Sequence, residues 1–218
     1  MTLPLFAIYG ASGYGREIMP LARAQLRQQG ILSERLVFVD DATEARVVLG
    51  HPVLRYTEFM GTEASGRHVA LAIADGSVRE RLAGRCRSDG VEAWTIVAEN
   101  VVMLDGIELG EGALLSPFAM LTSNIRIGRH FQANIYSYVA HDCVIGDFVT
   151  FAPGVCCNGN VVVEDHAYIG TGAIIRQGKP EKPLVIGRNA MVGMGAVVTR
   201  DVPSGVTVVG NPAKPLVK

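Results

Sequence analysis

The pair His141-Asp142 carries the most chemistry in this chain, because a glycine stands at a fixed interval beyond it. An imidazole takes up and returns a proton near neutral pH, which is the task of a general base. His141 stands two positions after the apolar Val139, and eighteen residues beyond it is Gly159. If the backbone repeats with an eighteen-residue turn, the Gly159 N–H lies about one strand spacing, roughly 4.8 Å, from the level of His141, where it can donate to an oxyanion. Neighbouring side chains on a strand diverge, which would set Asp142 apart from the ring. His130 and His166 follow their own apolar key positions by three residues, off the register of His141, and are expected at the surface. The coil histidines show no spacing that converges on a metal within one chain, and catalytic zinc takes three protein ligands, so no metal is expected.

A second group of candidates lies near the N-terminus. The apolar run Leu5–Tyr9 ends in Gly10-Ala-Ser-Gly-Tyr-Gly15 and is followed by helical spacing at Ile18, Leu21, Ala22 and Leu26, stopping at Gly30. A strand, a close backbone approach and a helix N-terminus together favour a phosphate, although the motif reads GxxGxG rather than GxGxxG. Asp40 and Asp41 close the next apolar run, Leu36–Val39, where they are placed to accept hydrogen bonds from a base or ribose. The candidate nucleotide contacts are thus Gly10, Ser12, Gly13, Tyr14, Gly15, Asp40 and Asp41.

Two different patterns must position these groups. Residues 1–97 alternate strand and helix signals, including a strand at His68–Ile73 and a helix expected to start at Ser77 with Glu80 as capping-box partner, which reads as a small α/β unit with a parallel sheet. Over 98–218 a period of six takes over. From Leu109 every sixth residue to Ile175 is apolar, and the step resumes at Ile186, Val192 and Val198 after five extra residues. Such a period marks a parallel β-helix in which six residues make one side of a triangular coil. The insertion within Arg176–Pro183 must leave the coil as a loop, since proline cannot join a central ladder.

The hexapeptide pattern, the Gly10–Gly15 turn, His141-Asp142-Cys143 within a coil and Gly210-Asn-Pro-Ala-Lys214 at the end resemble the left-handed β-helix sugar acyltransferases. Within them the chain looks like the group containing nucleotide-amino-sugar N-acetyltransferases and sialic acid O-acetyltransferases. The resemblance implies a Rossmann-like half domain that holds a nucleotide sugar, a left-handed coil, and a homotrimer with active sites between subunits. It implies acetyl-CoA as donor, His141 as base, Asp142 as the residue orienting it, and the Gly159 amide as oxyanion donor. Thr171, Met194 and Gly195 match donor-lining positions, Thr150 stands where relatives often have a second histidine near the thioester, and Lys214 is placed for a donor phosphate. Lys179 or Lys182 would reach the same phosphates. The implied reaction is direct acetyl transfer to the amine of a nucleotide-linked deoxyamino sugar in bacterial surface-glycan synthesis, with O-acetylation of sialic acid or another sugar hydroxyl as the alternative. Cys143 falls at an apolar stacking position, which argues against an acyl-enzyme.

Composition bounds the remaining classes. Twenty-five of 218 residues are glycine, about 11% against an average near 7%. With 20 basic and 21 acidic residues and a net charge of −1, the chain lacks the basic excess of a nucleic-acid binder. No apolar run approaches the roughly 18 residues of a membrane span, and Leu3–Tyr9 lacks the flank of a signal peptide, so a cytoplasmic location without membrane association is expected. Cys86, Cys143, Cys156 and Cys157 show no CxxC spacing and read as reduced core residues.

Overall fold

The computed structural model describes residues 3–31 and 33–216. Its N-terminal part comprises β1 (Leu5–Tyr9), α1 (Gly13–Gln28), β2 (Leu36–Val39), β3 (Val47–Val48), β4 (His51–Leu54), α2 (Tyr56–Gly61), β5 (Arg67–Leu71), α3 (Gly76–Ser88) and β6 (Glu92–Ala93). They form a sheet in the order β3-β4-β2-β1-β5-β6, parallel except for the β3–β4 hairpin. β1 and β2 are buried at every position, as strands covered on both faces must be. α1 lays Ile18, Ala22 and Leu26 onto the sheet at the four-residue spacing of one helical face. The helix already begins at Gly13, so Gly13, Tyr14 and Gly15 form its first turn rather than a loop. Gly15 has a steric reason: a Cβ there would collide with the Gly10 carbonyl oxygen.

α3 is capped by Asp75, whose carboxylate accepts the Val78 N–H at 2.9 Å. The expected Ser77 cap is therefore corrected by two residues: an aspartate upstream reaches the third helical N–H, and Ser77 is inside the first turn. β1 has β2 on one side and β5 on the other, so the chain reverses direction across the sheet at the β1/β5 boundary. The crevice outside the carboxyl ends of such strands is where open α/β sheets bind ligands. Here the Gly10 turn and the turn after β5 touch: a Cβ on Gly10 would lie 3.0 Å from the Ala72 carbonyl oxygen.

From Ile96 the chain coils. Rungs at Ile96–Val97, Leu114–Leu115, Gln132–Ala133, Thr150–Phe151 and Tyr168–Ile169 pair in parallel, eighteen residues apart. The architecture changes between Ala93 and Ile96, slightly ahead of residue 98, because Ile96–Val97 is already a rung. Faces of eight, six and five strands enclose a left-handed parallel β-helix. Its core is the stack of inward residues of the six-residue repeat, among them Leu121, Val139, Cys157 and Ile175. The segment 176–183 stands outside the ladder, and Lys179 and Lys182 close it through reciprocal backbone hydrogen bonds of 3.0 Å.

At most turns of the coil a corner residue takes a positive φ. The first corner, between the eight- and six-stranded faces, uses Phe118 and Tyr136 and then Gly154, Gly172 and Gly195. The second, between the six- and five-stranded faces, uses Gly106 and then Asn124, Asp142 and Asn160. The third uses Gly112, His130, Phe148, His166, Asn189 and Gly205.

The N-terminal sheet docks on the eight-stranded face and the third corner. The fully buried Arg79 of α3 donates to the carbonyls of Ile73 and Ala74 on its own side, and to those of His130, Phe148 and Val149 on the coil. Burial pulls its pKa down to about 10. Beneath it the rings of His130, Phe148 and His166 stack at centroid separations of 5.2 and 5.5 Å. The two histidines are thus not surface residues: His130 is 2% exposed and the His166 side chain 11%, because the N-terminal domain covers that corner.

Candidate functional site

His141 and Asp142 sit on the second corner. Asp142 has φ +58°, so the backbone turns between them and their side chains converge instead of diverging as they would on a strand. His141 Nδ1 lies 2.7 Å from Asp142 Oδ2, and the other carboxylate oxygen accepts the Asn124 amide at 2.5 Å. The Asn124 amide, and then His141, hold the Asp142 carboxyl below the usual carboxylate range. An ionised carboxylate only accepts, so Nδ1 donates in this hydrogen bond, and in the neutral imidazole the lone pair is then on Nε2.

The imidazole rests on Gly159. A Cβ at position 159 would stand 2.5 Å from both Cε1 and Nε2 of His141, so any side chain there displaces the ring from this position. The Gly159 carbonyl accepts the Gly178 N–H at 3.0 Å, whereas its own N–H makes no hydrogen bond among the described residues. The His141 and Asp142 side chains are 48% and 43% exposed, so the pair opens to solvent in a single chain. Cys143 is buried, with its thiol toward the Asn158 carbonyl at 3.2 Å, pointing into the coil and away from this opening.

The candidate donor-lining residues gather elsewhere. Thr171, Met194 and Gly195 occupy the first corner, where Met194 is 81% exposed. The C-terminal tail runs beside them, since the Val197 N–H bonds to Gly210 and the Ala213 N–H to Val197; Lys214 beyond it is exposed. One face of the coil therefore separates this group from His141 within a chain. The loop 176–183 instead leaves from the corner of His141, with Gly178 and Leu184 bonded to Gly159 and Asn160. Arg176, Lys179, Lys182 and Asp201 border a cleft of about 520 Å³ there. Thr150 lies apart from both groups: it is buried at the domain junction, its hydroxyl bonded to the Ala74 carbonyl at 2.9 Å.

The N-terminal candidates divide in the same way. Ser12 and Gly13 are exposed at the crevice beside Gly10, but Tyr14 packs toward the coil with its hydroxyl buried, and burial raises its pKa. Asp40 is occupied by the N–H groups of Ala11, Ala42 and Thr43. Asp41 accepts from the Tyr56 N–H and the Tyr9 hydroxyl, with Arg85 3.6 Å away. Burial opposes its ionisation, yet these partners outweigh it and hold the carboxyl below the usual range. Both aspartates therefore tie loops and the start of α2 to the carboxyl end of the sheet, since their oxygens meet the N–H groups of Ala11, Ala42, Thr43 and Tyr56.

Sequence reasoning missed two parts of the site. One is Asn124, detectable by stepping back eighteen residues from Asp142. The other is a cleft of about 310 Å³ between the turn Ala74–Ser77 and the coil wall formed by Tyr168, Asn189 and Met191. Its signal was the Asp75-Gly76 turn after a third buried strand, at the switch point. Among the described residues no helix is long and apolar enough to cross a membrane.

Comparison with known proteins extends this geometry. A family profile described as the PglD N-terminal domain matches residues 6–86. The chain is 50% identical over 210 residues to a GDP-perosamine N-acetyltransferase of Escherichia coli O157:H7, spanning 96% of this chain and 95% of the relative. It is similar to the solved structure of WeeI from Acinetobacter baumannii AYE, with a TM-score of 0.95 and 56% identity over 98% of this chain and 100% of that one. It is also similar to PerB from Caulobacter crescentus in complex with CoA and GDP-perosamine, with a TM-score of 0.85 and 26% identity over 98% and 97% of the two chains. With a period-six coil, an N-terminal nucleotide-type sheet and near full-length identity of this degree, the chain belongs to the hexapeptide-repeat sugar acetyltransferase family.

Proposed function

We propose that the protein moves the acetyl group of acetyl-CoA to the amine of a nucleotide-linked deoxyamino sugar, with GDP-perosamine as the acceptor. The observation that carries this reading is His141, held through Nδ1 by Asp142 and lying with its Nε2 edge against Gly159, in a chain half identical to a GDP-perosamine N-acetyltransferase. The nucleotide lies in the crevice at the β1/β5 boundary, against the turns Gly10–Gly13 and Ala74–Ser77, where backbone amides and two helix N-termini favour phosphate. His141 Nε2 takes the proton that the amine sheds as its nitrogen adds to the thioester carbonyl carbon. The resulting oxyanion is held by the Gly159 N–H, the C–S bond breaks, and the departing sulfur recovers the proton from His141. Amide and CoA thiol are the products.

The reading includes a trimer. His141 occupies one corner of the triangular coil and Thr171, Met194 and Gly195 another, so a donor that touches both groups must lie between neighbouring copies. A contact between two different corners is heterologous, and in this reading three copies close it into a ring about a threefold axis. The parallel rings of Phe118 and Tyr136, 4.9 Å apart and more than half exposed on the first corner, supply apolar area for it. Lys214 and the loop lysines reach the donor phosphates from the two sides. The reaction is placed in the cytoplasm, in the supply of an N-acetylated sugar for surface-glycan synthesis.

The test is thiol release from acetyl-CoA across GDP-, UDP-, dTDP- and CMP-linked amino sugars and free sialic acids, with His141→Ala as control. Turnover is expected with GDP-perosamine and a loss of at least about 10²-fold in His141→Ala with acetyl-CoA binding retained. Acetylation of a hydroxyl acceptor but of no amino sugar would refute the assignment.

A further inference from the structure

We propose that Asn124 is a positioning residue for the transfer, acting by aiming the Asp142 carboxylate at His141; the inference rests on the reading of His141 as the base. Asn124, Asp142 and Asn160 are the turning residues of three successive coils on one corner, with φ values of +56°, +58° and +56°. Stacking at this corner brings the Asn124 amide nitrogen to 2.5 Å from Asp142 Oδ1, and the same carboxylate presents Oδ2 to His141 Nδ1 at 2.7 Å. A carboxylate that is nearly half exposed turns readily about its last torsion and exchanges a protein donor for water. Engaging one oxygen from the coil before removes that freedom and leaves the other oxygen directed at the ring.

The residue type suits this task. Asparagine tolerates a positive φ better than most side chains and carries an amide donor on a short stem. The Asn124 side chain is exposed and makes no other hydrogen bond among the described residues, while its backbone N–H is held independently by the Asp105 carbonyl at 3.0 Å. The corner therefore does not depend on the amide group for its shape. What the amide determines is the direction of Asp142, and through it which imidazole nitrogen carries the proton.

Two substitutions separate aiming from folding. Asn124→Gly accepts the positive φ without steric strain and deletes the donor; Asn124→Asp keeps the shape and sets an acceptor against an acceptor. Both are measured with acetyl-CoA and the best acceptor of the panel. Asn124→Gly is expected to lower kcat about tenfold and Asn124→Asp further, with both KM values within about twofold and the melting temperature little changed. In an Asp142→Asn background, Asn124→Gly is expected to have no further effect on kcat, because no carboxylate remains to be aimed. Wild-type kcat in Asn124→Gly, a loss seen in KM alone, or multiplicative losses in the double variant would overturn the inference. His141→Ala distinguishes the two levels: full activity there refutes the base itself, whereas an inactive His141→Ala beside a fully active Asn124→Gly refutes only the role of Asn124.

Discussion

The imidazole of His141 lies on the backbone of Gly159, one coil further along, so closely that no side chain fits between them. The contact turns a repeat of eighteen residues into a chemical arrangement. The His141 ring and an N–H that makes no hydrogen bond among the described residues are brought together on adjacent coils at one corner, which the flanking rungs and the Asn160 N–H to His141 carbonyl bond keep in register.

Substituting Gly159 should therefore damage chemistry more than folding. Its φ lies outside the left-handed region, so Gly159→Ala suits the backbone, but the new Cβ must push the ring aside. A loss in kcat of about 10²-fold is expected, with the dissociation constant for acetyl-CoA little changed by titration calorimetry. Wild-type kcat would place the reaction elsewhere.

The separation of His141 from Met194 and Gly195 by one face of the coil can be tested by complementation. In the proposed trimer, His141→Ala chains alone, or Gly195→Trp chains alone, should be inactive. Co-expressed at equal levels, they should recover about a quarter of the sites, those at which an intact base faces an intact donor corner. No recovery in mixed trimers, confirmed by mass spectrometry, would mean that both groups serve one chain's site.

Arg79 binds two domains without a carboxylate partner. Its guanidinium reaches carbonyls on both sides of the junction, with bonds of 2.6 Å to Ile73 and to Phe148. Arg79→Met keeps the stem but leaves buried acceptors unpaired, and should cost about 3 kcal/mol or more in denaturant unfolding, with the N-terminal domain released first. A midpoint within error of the wild type would show that water replaces the guanidinium without loss.

His130 predicts a pH dependence. Burial first, and Arg79 second, push its pKa from 6.5 down to about 4. The folded state thus favours the neutral ring, so the stability this provides is complete above pH 6.5 and is lost as pH falls from 6.5 to 4, to a total of about 3 kcal/mol. His130→Phe keeps a ring on Phe148 but cannot titrate. Its melting temperature should fall less steeply than that of the wild type over this interval, and equal slopes would contradict the assignment.

Much of the coil was legible because a period is a one-dimensional property. Once six residues make a side, the sequence alone determines that Val139 faces inward, that His141 meets Gly159, and that 176–183 must leave the ladder. The β–turn–α order of the first segment was visible for the same reason, since burial on both faces leaves uninterrupted apolar runs such as Leu36–Val39. The short elements between 42 and 66 carry no such run and were silent.

What the tertiary structure decided concerns groups that do not repeat together. The positive φ of Asp142 turned a diverging neighbour into a partner of His141 and brought in Asn124 from the preceding coil. Docking of α3 enclosed His130 and His166 and engaged the Thr150 hydroxyl, while the loops around Asp40 and Asp41 used those carboxylates for their own amides. Spacing along a chain specifies which residues stack in a ladder. Which faces are covered, and which polar groups remain free, depends on contacts between segments far apart in sequence, and those exist only once the two domains have packed.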